Sequence, residues 1–239
     1  MKSLLLKSLL CAVTGFFVLA ATSYADPADE MSRSDTKGFN AYLASPAFDA
    51  RQADFVKMAK GAFFKTCETV TLGERQVRLI KPVRIGDDGQ PSDGVWKVSL
   101  SADGCGTARL LNAFFLAAQK KVVFLLTYPG TTDADPVLQR DTVMYVLTAA
   151  SLQGAKCDVK TSLIINTHYD GEEKLSPAPD PAGDKLGLAN VQKNETWTAE
   201  VCGHFYAVKV KYVRNLLGTN ISTSNKEVTE ISAEEARKR

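Results

Sequence analysis

Residues 45–67, SPAFDARQADFVKMAKGAFFKTC, and residues 135–157, DPVLQRDTVMYVLTAASLQGAKC, decide how the chain is read. Each opens with a side chain able to cap a helix, Ser45 or Asp135, followed by proline, and each ends in a cysteine 21 residues after that proline. Proline suits the first helical position, because the N–H it lacks would go unpaired there anyway. At this offset of 90 the apolar positions coincide as well: Phe48, Phe55, Val56, Ala59 and Ala62 match Leu138, Tyr145, Val146, Ala149 and Leu152. Their three- and four-residue steps place them on one helical face.

The pattern recurs downstream. Trp96 precedes Cys105-Gly106 by nine residues and Trp197 precedes Cys202-Gly203 by five, a difference expected from a change in hairpin length. Shared caps, prolines, apolar stripe and cysteines point to an internal duplication. An even set of four cysteines follows the leader, and spacing alone allows three connectivities. Duplication selects Cys67 with Cys105 and Cys157 with Cys202, one bridge in each unit. Each closes a loop of about 40 residues and contributes on the order of 4 kcal/mol in the chain-entropy picture. These cysteines lack the close pairs, such as C-x-x-C, that a zinc site needs.

Between the landmarks the expected segments are strands Thr69–Ile85, with a turn near Gly73-Glu74, and Val95–Leu100, separated by turns at 86–89 and 91–94. Residues 108–118 suit helix or strand, and their β-branched counterpart 205–213 favours strand. Val122 to Tyr128 reads as a fully buried strand. A helix over 136–153 precedes a strand from about 158 to 167, a turn at Tyr169-Asp170-Gly171, a Pro/Gly-rich loop over 176–190, and strands 195–202 and 205–214.

The expectation is an α+β protein of two tandem homologous units, each a single helix on an antiparallel meander. This element order resembles the cystatin-like arrangement, a likeness that carries no function. Residues 1–25 form the expected signal peptide: Lys2 and Lys7, an apolar run from Leu9 to Ala21, and Ser23-Tyr24-Ala25 as a cleavage site. Residues 26–44 are a polar lead-in, 45–131 the first unit, 132–223 the second, and 224–239 a charged tail with a frayed helix. Export to the periplasm or the extracellular space follows, with no transmembrane segment in the mature chain.

Lys2 and Lys7 aside, 27 Lys and Arg face 27 Asp and Glu. That balance argues against nucleic acid as a partner, since such binding draws its affinity from neutralised phosphates. The chain lacks G-x-S-x-G, H-E-x-x-H, P-loop and G-x-G-x-x-G motifs, and Ser34-Asp35-Thr36-Lys37 fits S-x-x-K without a companion K-T-G. No catalytic, cofactor or metal residue is assigned. Candidate ligand-site residues are His204, Tyr206 and Arg109, on the stretches that follow the Cys-Gly pairs. His168 sits by a turn with Asp170, Glu172 and Glu173. The leading expectation is a non-catalytic binding protein for a protein or small-molecule ligand seated between the units. A hydrolase using His204 or His168 as base, and a structural envelope component, are the alternatives.

Overall fold

The computed structural model describes residues 34–119, 121–153, 162–175, 191–215 and 218–239. Helix α1 (Thr36–Leu43) and helix α2 (Pro46–Phe63) lead into a four-stranded antiparallel sheet of β1 (Val70–Ile85), β2 (Pro91–Gly104), β3 (Thr107–Ala118) and β4 (Lys121–Thr127), in that spatial order. Helix α3 (Pro136–Ser151) leads into a second antiparallel sheet. It contains β5 (Leu163–Lys174), β6 (Val191–Val201), β7 (His204–Asn215) and β8 (Gly218–Ser222), with β9 (Val228–Ile231) also on β7. A short helix α4 (Ala233–Lys238) ends the chain. The fold is α+β, and no described helix is long and apolar enough to cross a membrane.

Both helix starts form as the sequence indicates. The Ser45 hydroxyl accepts from the Phe48 amide, and the Asp135 carboxylate accepts from the Val137 and Leu138 amides, with proline next in each case. The polar lead-in contains α1, capped by Asp35, whose Phe39 and Tyr42 pack edge-on against Trp96. The first core builds outward from Trp96, stacked on Phe115 at 5.6 Å, with Phe48 and Phe55 descending from α2. Ser34 of the S-x-x-K tetrapeptide anchors this lead-in, its hydroxyl accepting from the Val83 amide.

Cys67 and Cys105 form the disulfide expected of them, closing the link between the end of α2 and the β2–β3 turn. Cys202 is also disulfide-bonded, while Cys157, the partner expected for it, lies outside the described residues. The two Cys-Gly pairs occupy the same conformation. Cys105 and Gly106 have φ of 52° and 71°, and Cys202 and Gly203 have φ of 57° and 79°. Two successive positive φ values at the centre of a two-residue connection define a type I′ hairpin turn, whose twist suits the flanking strands. Both connections are therefore equally long, with Gly104 opposite Thr107 and Val201 opposite His204. The different Trp spacing does not come from hairpin length. The tryptophans stand four positions apart along matching strands, and an even shift keeps both on the helix-facing side.

Other expected turns are bulges within long strands. Gly73-Glu74 falls where the β1–β2 register shifts, and Tyr169–Gly171 falls where the β5–β6 register shifts. Residues 91–94 open β2 rather than forming a turn, and residues 108–118 are strand. The stretch around 122–128 is an edge strand, not a fully buried one: Val123 is 59% and Leu125 is 50% exposed. The α3 stripe is rotated relative to that of α2. Val146 and Ala149 are buried like Val56's neighbour Ala59, but Tyr145 and Leu152 face outward, and Gln139 and Thr142 turn inward. The loop over 176–190 lies outside the described residues.

Candidate functional site

The segment between β4 and α3, residues 128–135, brings the two sheets together. It crosses the face of the first sheet opposite α2. Asn112 of β3, fully buried there, shares its side-chain N–H groups among the carbonyls of Tyr128, Gly130 and Leu110, while its oxygen accepts from the Ser99 hydroxyl. The same segment adds itself to the edge of the second sheet. Gly130 bridges Thr167 of β5 in parallel, the Thr131 amide donates to the Thr167 carbonyl at 2.8 Å, and the Thr167 amide donates to the Pro129 carbonyl at 2.8 Å.

Beneath this crossing lies a buried carboxylate. Glu195 sits on the helix-facing side of β6, 1% exposed, two residues before Trp197. It accepts hydrogen bonds from the Thr132 hydroxyl, the Asp133 amide and Trp197 Nε1. Burial pushes its pKa above the ordinary carboxylate value, against the opposing pull of those three donors. Tyr212 and Thr142 continue the polar layer through a 3.1 Å contact between their hydroxyls. Gln139 donates to the Ala134 carbonyl and accepts from the Tyr128 amide, so the inward turn of α3's polar side chains serves the crossing segment.

Above the crossing is a cleft of about 520 Å³, lined by Arg78 of β1, Lys97 and Ser99 of β2, Thr131–Asp133, Tyr169 of β5 and Lys193 of β6. Its charged centre is Asp133, which pairs with Arg78 at 2.8 Å and with Lys193. Burial alone would raise the Asp133 carboxyl, but the hydrogen bonds and charges of Lys193 and Arg78 outweigh it and hold the group below its usual value. Lys97 is 7% exposed, and its ammonium donates to the Thr132 carbonyl at 3.0 Å. Burial, followed by repulsion from Arg78, lowers its pKa to about 8, against the attraction of Asp133 and Glu195. A perturbed, buried amine facing a cleft is the kind of group that marks a functional site.

Of the residues singled out in the sequence, Glu172 also lines this cleft, and the others lie elsewhere. Arg109 bridges the sheets, its guanidinium bonded to the Ile165 carbonyl and held 5.8 Å over the Phe64 ring. It lines a separate groove of about 510 Å³ together with His168, Asn166 and the Arg239 end of α4. His168 is exposed and stands 3.8 Å from Asp170. His204 is 58% exposed, with Nδ1 2.8 Å from Glu230, and Tyr206 is buried in the second core with Glu230 opposite it in register. His204 and Tyr206 thus flank Glu230, apart from Arg109.

The burial of Lys97 is invisible in the local sequence pattern for a physical reason. Alternation in Val95-Trp96-Lys97-Val98 assigns Lys97 to a solvated face, and only the crossing of a segment 35 residues away buries it. For Glu195 a signal existed: it shares its strand face with Trp197 and so had to enter the core. No family model, curated protein or solved structure matches the chain.

Proposed function

We propose that the protein is an exported, non-catalytic binding protein built from two tandem copies of a disulfide-locked α+β unit, with a small organic acid as the ligand of the Lys97 cleft. Export is supported by the apolar leader and by a structural disulfide, which persists in an oxidising compartment. Duplication is supported by the paired helix caps, the identical Cys-Gly turns and the disulfide bonding of Cys202, for which Cys157 is the proposed partner.

The observation that carries the ligand reading is Lys97. An ammonium has three donors, and among the described residues its hydrogen-bond acceptor is the Thr132 carbonyl alone. A carboxylate entering the cleft supplies the missing acceptors to a group already stripped of water. Arg78 and Lys193 turn toward it from Asp133. The His204–Glu230 pair supports the hydrolytic alternative less well, because both side chains are more than half exposed and line none of the described cavities.

The test is a thermal-shift and calorimetric titration with acetate, succinate, citrate and inorganic phosphate, each against a neutral amide or ester where one exists. Acids should raise the melting temperature by mass action and their neutral analogues should not. Lys97→Met should abolish the effect. Because the acid binds the protonated amine, affinity should hold below pH 8 and fall as pH rises through about 8. An acid that binds Lys97→Met as well as the native protein, or the absence of any response to about 10 mM of each probe, a range where even weak carboxylate sites fill, overturns the reading.

A further inference from the structure

We propose that β4 is a homodimerisation edge, where a second copy of this chain pairs antiparallel about a two-fold axis at Phe124 to join the two first sheets into one of eight strands. The inference stands apart from the cleft and its ligand.

It begins with how the other sheet edges are managed. An exposed strand edge is a template for pairing, and proteins blunt it with charge, bulges, short strands or cover. The β5 edge is covered by residues 129–131. The far side of β7 is divided between β8, five residues long, and β9, four residues long. The β1 edge carries Glu74, Arg75, Arg78, Lys81 and Arg84 and is broken by four register shifts. β4 has no bulge and no run of charge, and α3 adjoins it at its Thr127 end, where Gln139 Oε1 accepts from the Tyr128 amide. Its sequence, Lys-Val-Val-Phe-Leu-Leu-Thr, is apolar after Lys121, its register with β3 is unbroken, and β3 is its one strand partner among the described residues.

The strand is also self-complementary. Ala118 and Lys121 flank a two-residue connection, so they form a hydrogen-bonded pair and the pairs alternate from there. The backbone groups of Val122, Phe124 and Leu126 therefore point away from β3, and no backbone partner meets them among the described residues. A two-fold at Phe124 sets Phe124 against itself and Val122 against Leu126 of the second copy, satisfying all three sets of groups. Val123 then faces Leu125 of the second copy in the closer, non-hydrogen-bonded position. These two are the most exposed apolar side chains of the sheet, and Leu116, 40% exposed, stands beside Val123 on β3. Lys121 falls opposite Thr127 rather than opposite itself, so the register brings no like charges together.

A seven-residue edge with a small apolar patch makes a weak interface, so the dimer should dissociate on dilution. Sedimentation equilibrium of the purified, oxidised protein over roughly 5–200 µM, the range in which small interfaces dissociate, should show mass rising from one chain toward two. Val123→Lys with Leu125→Lys sets lysine against lysine across the axis and should leave a monomer with an unchanged melting temperature, both sites being solvent-facing. Val123→Lys with Leu125→Glu sets opposite charges across the axis and should restore the dimer. A native protein that stays monomeric throughout the range overturns the proposal. So does a dimer that survives the double lysine variant, including one lost instead on Met144→Lys in the exposed stripe of α3.

Discussion

Gly130→Ala tests whether the crossing segment holds the two sheets together. Gly130 has φ of 108°, a conformation that side chains rarely tolerate. A Cβ there would lie 1.8 Å from the Thr167 carbonyl oxygen, 2.6 Å from its nitrogen and 2.7 Å from its carbonyl carbon. All three are backbone atoms of a paired strand, so no rotamer change relieves the overlap. Alanine must lift the segment off β5. That breaks the bonds from the Thr131 amide to Thr167, from the Thr167 amide to Pro129 and from the Thr167 hydroxyl to Pro129, the last at 2.7 Å. At a net value near 1 kcal/mol each, these lose about 3 kcal/mol. Residual backbone strain adds about 1 kcal/mol, for about 4 kcal/mol in all. Urea denaturation followed by tryptophan fluorescence reads the loss, Trp96 and Trp197 reporting on separate cores. Hydrogen exchange at the Thr131 and Thr167 amides locates it. Gly61→Ala is the control, since a Cβ there meets nothing within 4 Å in α2 and should stabilise by about 0.5–1 kcal/mol. If Gly130→Ala falls within about 1 kcal/mol of the native protein and Thr167 keeps its protection, the crossing does not couple the sheets and the reasoning fails.

Two further perturbations follow from the site and its frame. Asp133 is held below its usual carboxylate pKa, so its stabilising contribution is complete above the unfolded-state value near 4 and fades as pH falls through the folded value. Asp133→Asn should therefore lose about 0.5–1 kcal/mol at pH 7, discounted for the exposure of Arg78 and Lys193. The variant and native protein should converge in urea midpoint on acidification; an equal gap at pH 3 and pH 7 contradicts the assignment. Replacing Cys67 and Cys105 together with alanine opens a loop spanning a separation of 38 residues, and a loss of about 4 kcal/mol is expected by the same urea measurement. Non-reducing peptide mapping should recover a Cys67–Cys105 peptide and a Cys157–Cys202 peptide, and a Cys157–Cys105 peptide contradicts both structure and proposal.

The parts of the fold legible in the sequence are those encoded by neighbours along the chain. Ser45-Pro46 and Asp135-Pro136 announce helix starts because a cap needs only the next few amides. Cys105-Gly106 and Cys202-Gly203 are turns through positive φ, a local demand that the sequence pattern conceals by letting a strand run on to Cys202. Even the ambiguous stretch 108–118 resolved as strand when read against its counterpart. The bulges at Gly73-Glu74 and Tyr169–Gly171 look like turns in the sequence because both use the same residues, and only the partner strand decides whether the chain reverses or merely slips.

The site was not legible, because what makes it a site is contact between distant segments. Asn112 and Lys97 look like ordinary polar positions on their strands until residues 128–133 pass over them, and Glu195, placed in the core by the strand face it shares with Trp197, shows its partners only once that segment hydrogen-bonds it. Deprived of water, an amide, an amine and a carboxylate must each find partners or shift their charge equilibria. Asn112 and Glu195 meet that demand within the protein, Asn112 with three hydrogen bonds donated and one accepted at its side chain and Glu195 with three distinct donors. Lys97 meets it with one carbonyl, the Phe114 ring 5.9 Å away and a lowered pKa. The same crossing therefore creates two satisfied groups that lock the sheets and one under-satisfied group that faces a cleft. That difference in satisfaction, rather than burial by itself, separates the structural part of the junction from the part proposed to bind.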